Sequence, residues 1–396
     1  MVTVYPKGTT IYKPEKCCNG YTVFPLAHQG KPEVLMINMN GQIVHRWTAD
    51  SSRIKGGIVR ARLLKNGHIL TLRGAMETKG GVQEYDWNGK LVWEYVPSIG
   101  NPHHDIFRKD NGNTLMICRE EVPEKYKEKI KDPRRRNISI YSDVILEVTP
   151  DKKVVWEWHE YEHLDINRCN QIPASRDWRA GPNNNTISDW THTNTVQALP
   201  ENKWYDKGDD RFKPGNVLIS LRQLDLVLIV DRDTQEIVWE YTGDYKGGLS
   251  GQHEPHMIEK GIPGEGNILI FDNGASPQKD LAHAGCSFVL EVEPPTKKVV
   301  WKYEDGERFH SNFTSSSQRL PNGNTLINET AGRRIFEVTP EGEIVWEYVH
   351  IKGFSTRSYR YPYDYCPQTK ALGKPRELPV IPPQDMRIPP TELPIE

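Results

Sequence analysis

The chain has 396 residues, 36% of them hydrophobic and 26% charged, with a formal net charge of -2 and a pI near 6.7. That balance fits a globular chain and excludes a disordered one. The absence of a basic stripe argues against nucleic acid as a partner, and no apolar run is long enough to span a membrane.

Met1 to Pro14 carries no apolar stretch of the signal-peptide kind, so a cytoplasmic location is expected. Cys17, Cys18, Cys118, Cys169, Cys286 and Cys366 show no CxxC or zinc-like spacing, and reduced thiols are the expected state.

One module then recurs. Six segments end alike: GQIVHRW (41–47), GKLVWEY (89–95), KKVVWEW (152–158), QEIVWEY (235–241), KKVVWKY (297–303) and GEIVWEY (342–348). Each follows an alternating strand and a polar turn, as in VLMINMNG and VILEVTPD, which spells a β-hairpin. Upstream of five hairpins an Asn-Gly or Gly-Asn turn introduces another strand: NGHILTL, NGNTLMI, GNVLISL, GNILIFD and NGNTLIN. A further strand precedes each turn, for example VRARLL (59–64) and TVQALP (195–200). Four strands per unit, six times, predicts a six-bladed all-β propeller.

Blade one lacks an innermost strand. SYRYPYDY (358–365) at the far end of the chain is expected to supply it and so close the ring. Residues 1–365 are thus expected to form the propeller, with 366–396 as a Pro-rich tail, extended or disordered. The recurring column of His45, Trp93, Trp156, Trp239, Trp301 and Trp346 is read as packing between blades rather than as a quinone-cofactor box.

The steps from Trp93 to Trp156 and from Trp156 to Trp239 both exceed the minimal unit. They hold charged inserts at 120–137, 159–188 and 201–213, candidates for lids or binding walls. Innermost strands line the channel, and the residues that open them should crowd one mouth. Here they read NPHHDI (101–106), DWTHTNTVQ (189–197), GQHEPHM (251–257) and FHSNFTSSSQ (309–318). Anchoring on the turns makes His104 and Ser315 equivalent, with Asn194 and His253 at the same place by looser counting. Arg73, Arg119 and Arg222 end the second strands of blades two, three and four. Histidines, arginine and asparagine around one mouth suit a tetrahedral oxyanion such as sulfate or phosphate. Pairing of each arginine with Asp or Glu of a neighbouring blade is the alternative.

With DWTHTNTVQALP, LISLRQLDLVLIVDRDTQEIVWEY and GQHEPHMIEKGIPGEGNILIFDNG, the pattern resembles the arylsulfate sulfotransferase family over about residues 30–365. The resemblance implies transfer of a sulfuryl group between phenols, without a nucleotide donor, through a sulfated histidine. It implies His253 as nucleophile, His192 and Asn194 as the His-x-Asn pair, and Arg222 on the sulfate. It also implies His104 (or His103) and a hydroxyl at Thr314 or Ser315; Arg73 and Arg119 are expected as further substrate contacts from their strand positions alone. Exported members carry a disulfide and an extra N-terminal domain; this sequence resembles the shorter branch.

The expected partners are a small aryl sulfate and a phenol, with no cofactor, and the oligomeric state is open. Two other functions fit the same residues. A lyase or hydrolase would hold a divalent metal ion on His104, His192, His253 and His256, with Glu254 nearby. A non-catalytic scaffold would use the propeller's loops alone.

Overall fold

The computed structural model describes residues 7–26, 31–52, 54, 56–75, 78–168, 178–180, 186–275 and 285–381. Six small antiparallel sheets stand around a central channel, giving a six-bladed β-propeller. From the channel outward, blade one is Tyr359–Tyr361, Tyr21–Leu26, Glu33–Ile37 and Ile43–Thr48. Blade two runs from Ile58–Leu63 to Leu91–Tyr95, blade four from Thr193–Ala198 to Ile237–Tyr241, and blade five from His253–Met257 to Lys298–Tyr303. Blade three runs from Asn101–Arg108 through Thr114–Glu121 and Ser139–Val148 to Val154–His159. Its third strand also pairs, in parallel, with Thr186–Asp189 from the long insert.

The ring closes twice. Tyr359–Tyr361 pairs with Tyr21–Val23, so the C-terminal strand completes blade one as the sequence predicts. Gly8–Tyr12 adds a fifth, outermost strand to blade six beside Ile344–Val349, which the repeat pattern does not announce. Beyond the ring, Pro367–Leu372 is a short helix, and Val380 exchanges two 3.0 Å backbone hydrogen bonds with Tyr12. Residues 382–396 of the expected tail, and 169–177 and 181–185 of the expected insert, lie outside the described residues.

The Trp column shows why the modules stack. Trp93, Trp239, Trp301 and Trp346 donate their indole N–H to the hairpin turn of the next blade, at Pro150, Pro294, Pro340 and Met39. In blades one and three the tryptophan two residues on does this, Trp47 to Asp86 and Trp158 to Gln235. The rings fill the outward-widening wedge while the polar edge satisfies a turn carbonyl. Apolar side chains from facing sheets complete each wedge, for example Leu115, Ile117 and Ile145 against Val196, Ile219 and Leu228.

The described cysteines, Cys17, Cys18, Cys118, Cys286 and Cys366, are free thiols. No helix among the described residues is long and apolar enough to cross a membrane.

Candidate active site

The innermost strands do not run straight into the channel mouth. Register breaks fall at Ile58/Arg60, Thr193/Thr195 and His253/His256, and between Pro102 and Ile106. Each break inserts extra residues on the channel strand and re-aims its side chains, the usual effect of a bulge. At or beside these bends His104, His192 and Glu254 hold positive φ (57°, 50° and 53°), as do Thr314 and Ser315 just before the innermost strand of blade six (43° and 81°). Non-glycine residues rarely sit there, and such strain concentrates at functional sites.

The bends bring three histidines together. The rings of His104 and His192 lie 4.8 Å apart, and those of His104 and His253 6.3 Å. Each Nδ1 is spoken for. His253 Nδ1 is 2.7 Å from Asn273 Oδ1 and 3.1 Å from the Gly251 carbonyl. His192 Nδ1 is 2.6 Å from Asp189 Oδ2. His104 Nδ1 meets His103 Nδ1 at 2.6 Å, and His103 Nε2 meets Asp143 Oδ1 at 2.7 Å. Burial above all, then Arg222 and Arg357, pushes His253 well below the ordinary histidine range. Burial, then His192, His103 and His253, does the same to His104. Both rings are therefore neutral at pH 7, with a lone pair to offer.

Beneath the histidines lies a dry layer of charge. Arg60 contacts Asp105 Oδ1 at 2.7 Å and both oxygens of Glu254 at 2.7 and 2.9 Å. Arg357 lies 2.7 Å from Glu254 and 3.3 Å from Asp105, and donates to the Asn194 carbonyl at 2.5 Å. Tyr359 donates its hydroxyl to Glu254. Burial would raise the Glu254 carboxyl; Arg357 and Arg60 overcome it and hold the group below the usual carboxylate range. Two arginines and two carboxylates compensate one another.

The remaining predicted residues divide. Arg222 opens a short turn whose backbone N–H reaches the His192 carbonyl at 3.3 Å, and its Nη2 lies 3.7 Å from where a side chain on Gly251 would begin. It thus flanks His253. Asn194 is fully buried and donates to the Gln252 carbonyl at 2.7 Å, locking blade four to blade five. Thr314 donates to Thr330, and its carbonyl accepts from Asn273 Nδ2 at 3.1 Å. Ser315 is buried, facing the Phe313 carbonyl and the Thr330 amide. Arg119 lies 4.1 Å over the Tyr141 ring. Arg73 is spent on the Asp50 and Gly56 carbonyls at 2.6 and 2.7 Å, holding a neighbouring loop. His256 stands apart from the other three histidines. Its Nδ1 faces the Glu254 carbonyl at 3.1 Å, and it lines a separate cavity of about 120 Å³ with Arg62, Gln318 and Tyr359. Among the described residues no group of three or more His, Cys, Asp or Glu is placed to hold a metal ion.

Sequence reasoning passed over Asn273, Asp189, Asp143, Asp105, Arg60 and Arg357. One signal was available for Asn273. Counting six residues on from Asn113, Asn216, Asn267 and Asn324 gives Arg119, Arg222, Asn273 and Thr330, a single repeat column. Asp189 sits three residues before His192 in DWTHTN. Asp143 lies in a third strand whose pattern speaks only of burial.

Buried, neutral histidines and a flanking arginine gathered at one channel mouth are the perturbed groups that concentrate at functional sites. The arylsulfotransferase (ASST) family model matches residues 101–351, and the chain belongs to that family. No curated protein matches the chain. Among solved structures, a protein of unknown function from Bacteroides caccae is 13% identical, with a TM-score of 0.50, over 86% of this chain and 98% of that one. A virginiamycin B lyase from Staphylococcus aureus, inactivated and bound to quinupristin, is 12% identical, with a TM-score of 0.45, over 88% and 89% of the two chains.

Proposed function

We propose that the protein transfers a sulfuryl group from an aryl sulfate to a phenol through a covalent sulfohistidine at His253, using no nucleotide donor. The observation that carries this reading is the tautomer of His253. The two amide hydrogens of Asn273 go to the Ser311 and Thr314 carbonyls at 2.7 and 3.1 Å, so its Oδ1 faces His253 as an acceptor. His253 Nδ1 therefore carries the hydrogen and donates it, which leaves the lone pair on Nε2.

In the first half-reaction Nε2 attacks sulfur, the N–S bond forms, and the ester S–O bond breaks with its electrons leaving on the phenolate. In the second, the acceptor phenol's oxygen attacks the same sulfur as its proton passes to Nε2 of His104, and the N–S electrons return to Nε2 of His253. Arg222 supplies positive charge to the sulfuryl oxygens, and His104 and His192 flank the transfer. The Phe313–Phe354 pair, edge to face at 6.1 Å and one residue from Thr314, offers an aromatic wall at the same rim. Family membership supports aryl substrates.

The test is incubation with p-nitrophenyl sulfate alone, read by intact mass, beside His253→Ala. A sulfuryl adduct in the wild type that is absent in the variant is the expected result. No adduct under single-turnover conditions would overturn the reading.

A further inference from the structure

His103 is 1% exposed and has no place in the transfer steps above, yet it is held as firmly as any residue of the site. Asp143 Oδ1 faces its Nε2. The other oxygen, Asp143 Oδ2, accepts from the Thr193 amide at 2.6 Å and Thr191 Oγ1 at 3.3 Å. Glu160 lies alongside, donated to by Thr193 Oγ1 and by the Asp143 amide, and burial and then Asp143 push its carboxyl well above the usual range. Asp143 Oδ2 thus already accepts from two donors, and Oδ1 is left to face His103.

With Asp143 acting as acceptor on both oxygens, His103 Nε2 carries the hydrogen of their contact. The two Nδ1 atoms of His103 and His104 are 2.6 Å apart and share one hydrogen between them. That hydrogen has two possible owners. While it sits on His104, His103 is neutral and His104 Nε2 is bare. Once it moves to His103, that ring becomes an imidazolium against Asp143. His104 itself is poorly placed to hold positive charge, because burial above all, then His192, His103, His253 and Arg357, weigh against it.

We propose that His103, paired with Asp143, stores the proton of the phenolic group, receiving it and returning it through His104. The proposal rests on the sulfohistidine reading and deepens it. In the acceptor half-reaction the phenol O–H breaks as its oxygen bonds to sulfur. Its proton goes to His104 Nε2, and the His104 Nδ1 hydrogen passes to His103 Nδ1. In the next donor half-reaction both transfers reverse, and the departing phenolate leaves as a phenol. Protons balance over the cycle. His103 is a positioning and relay residue and touches no substrate.

The test is single-turnover sulfuryl uptake by the full chain from nitrophenyl, chlorophenyl and unsubstituted phenyl sulfates, in the wild type, His103→Phe and Asp143→Asn. His103→Phe keeps a ring of similar size; Asp143→Asn keeps the shape of the corner and removes its charge, so that one folded variant is in hand if the other fails. A stored proton matters only to a poor leaving group. The variants should react with nitrophenyl sulfate within about twofold of wild type, and with phenyl sulfate ~100-fold more slowly, the scale of general acid catalysis. An equal loss across the series would make His103 merely structural and overturn the proposal, as would no loss at all. Failure of the wild type to form an adduct with any donor would instead remove the sulfohistidine reading beneath it, and the mass spectrum separates the two failures.

Discussion

The Nδ1 of His253 lies 2.7 Å from Asn273 Oδ1, across twenty residues of sequence and one strand of blade five. On the sulfohistidine reading proposed above, the contact selects the nitrogen that attacks, while burial and the Arg222 guanidinium set the pH range over which it is free. An isolated histidine loses its lone pair as pH falls through about 6.5. His253 is held well below that, so sulfuryl uptake from nitrophenyl sulfate, whose leaving group needs no proton, should stay flat from pH 8 to pH 5.5. Asn273→Asp keeps the acceptor and adds a negative charge beside the ring, which favours imidazolium. Its acid limb should move up into this window. The check is the rate of adduct formation against pH for both proteins; a wild-type rate that halves near pH 6.5 would contradict the assignment.

The same burial makes stability depend on pH in a defined direction. His104, His253 and His256 all sit below the ordinary range, and His350 is pushed down to about 3 by burial and then by Arg333. Above pH 7 folded and unfolded chains both carry these rings neutral, and nothing is lost. Below about 6.5 the unfolded chain takes up protons that the folded one refuses, so stability falls with pH. Each such ring contributes a slope of about 1.4 kcal/mol per pH unit. Urea midpoints should therefore drop between pH 7 and 5.5. His350→Asn should flatten that slope by one histidine's share; an unchanged slope would mean that His350 is not neutral in the fold.

The layer formed by Arg60, Asp105, Glu254 and Arg357 should respond asymmetrically to substitution. Removing one partner leaves a buried charge uncompensated, which costs about 3–5 kcal/mol. Arg60→Met should therefore be strongly destabilising, because it strips three contacts from Asp105 and Glu254 at once. Arg62→Met should cost far less, since Arg62 is only 3.8 Å from Glu254 and a quarter exposed. Denaturant unfolding of the two variants measures the difference, and equal losses would argue that the layer is no unit.

Much of this architecture is legible in the chain because it repeats. The hairpin phrase gives blade number, and the missing inner strand of blade one points to residues 358–365. The Trp column is read correctly as packing, although in blades one and three the hydrogen bond comes from Trp47 and Trp158. Three of the four histidines offered as ligands meet at the mouth, since each opens an innermost strand. His256 does not: it lies three residues further along the strand, past a bulge that no periodicity records, and its ring lines the separate cavity instead. Arg73 and Arg222 look alike in sequence, yet their local loops give one a set of carbonyls and the other a place beside His253. Asp143 and Arg60 escape notice for a different reason: Asp143 pairs with His103 two strands away and with Thr193 of the next blade, Arg60 with Asp105 and Glu254 of other blades, and such pairing leaves no local mark.

The ring's closure ties folding to the site. Arg357 and Tyr359 reach the charge layer only when the C-terminal strand has joined blade one. Ending the chain after Ser355 removes both side chains and exposes the inner edge of Tyr21–Leu26. Gly8–Tyr12, by contrast, covers the outer edge of blade six, far from the channel. Removing residues 1–13 should lower stability and leave Ile344–Val349 open to edge pairing with a second chain. The short form ending at Ser355 should form no sulfuryl adduct and be degraded readily by protease. The form lacking residues 1–13 should retain single-turnover uptake while showing a lower urea midpoint and concentration-dependent association by light scattering. If the N-terminal deletion abolished uptake while the fold persisted, the outer strand would have to act on the mouth from the opposite edge of the blade, and the separation of closure from chemistry argued here would be wrong.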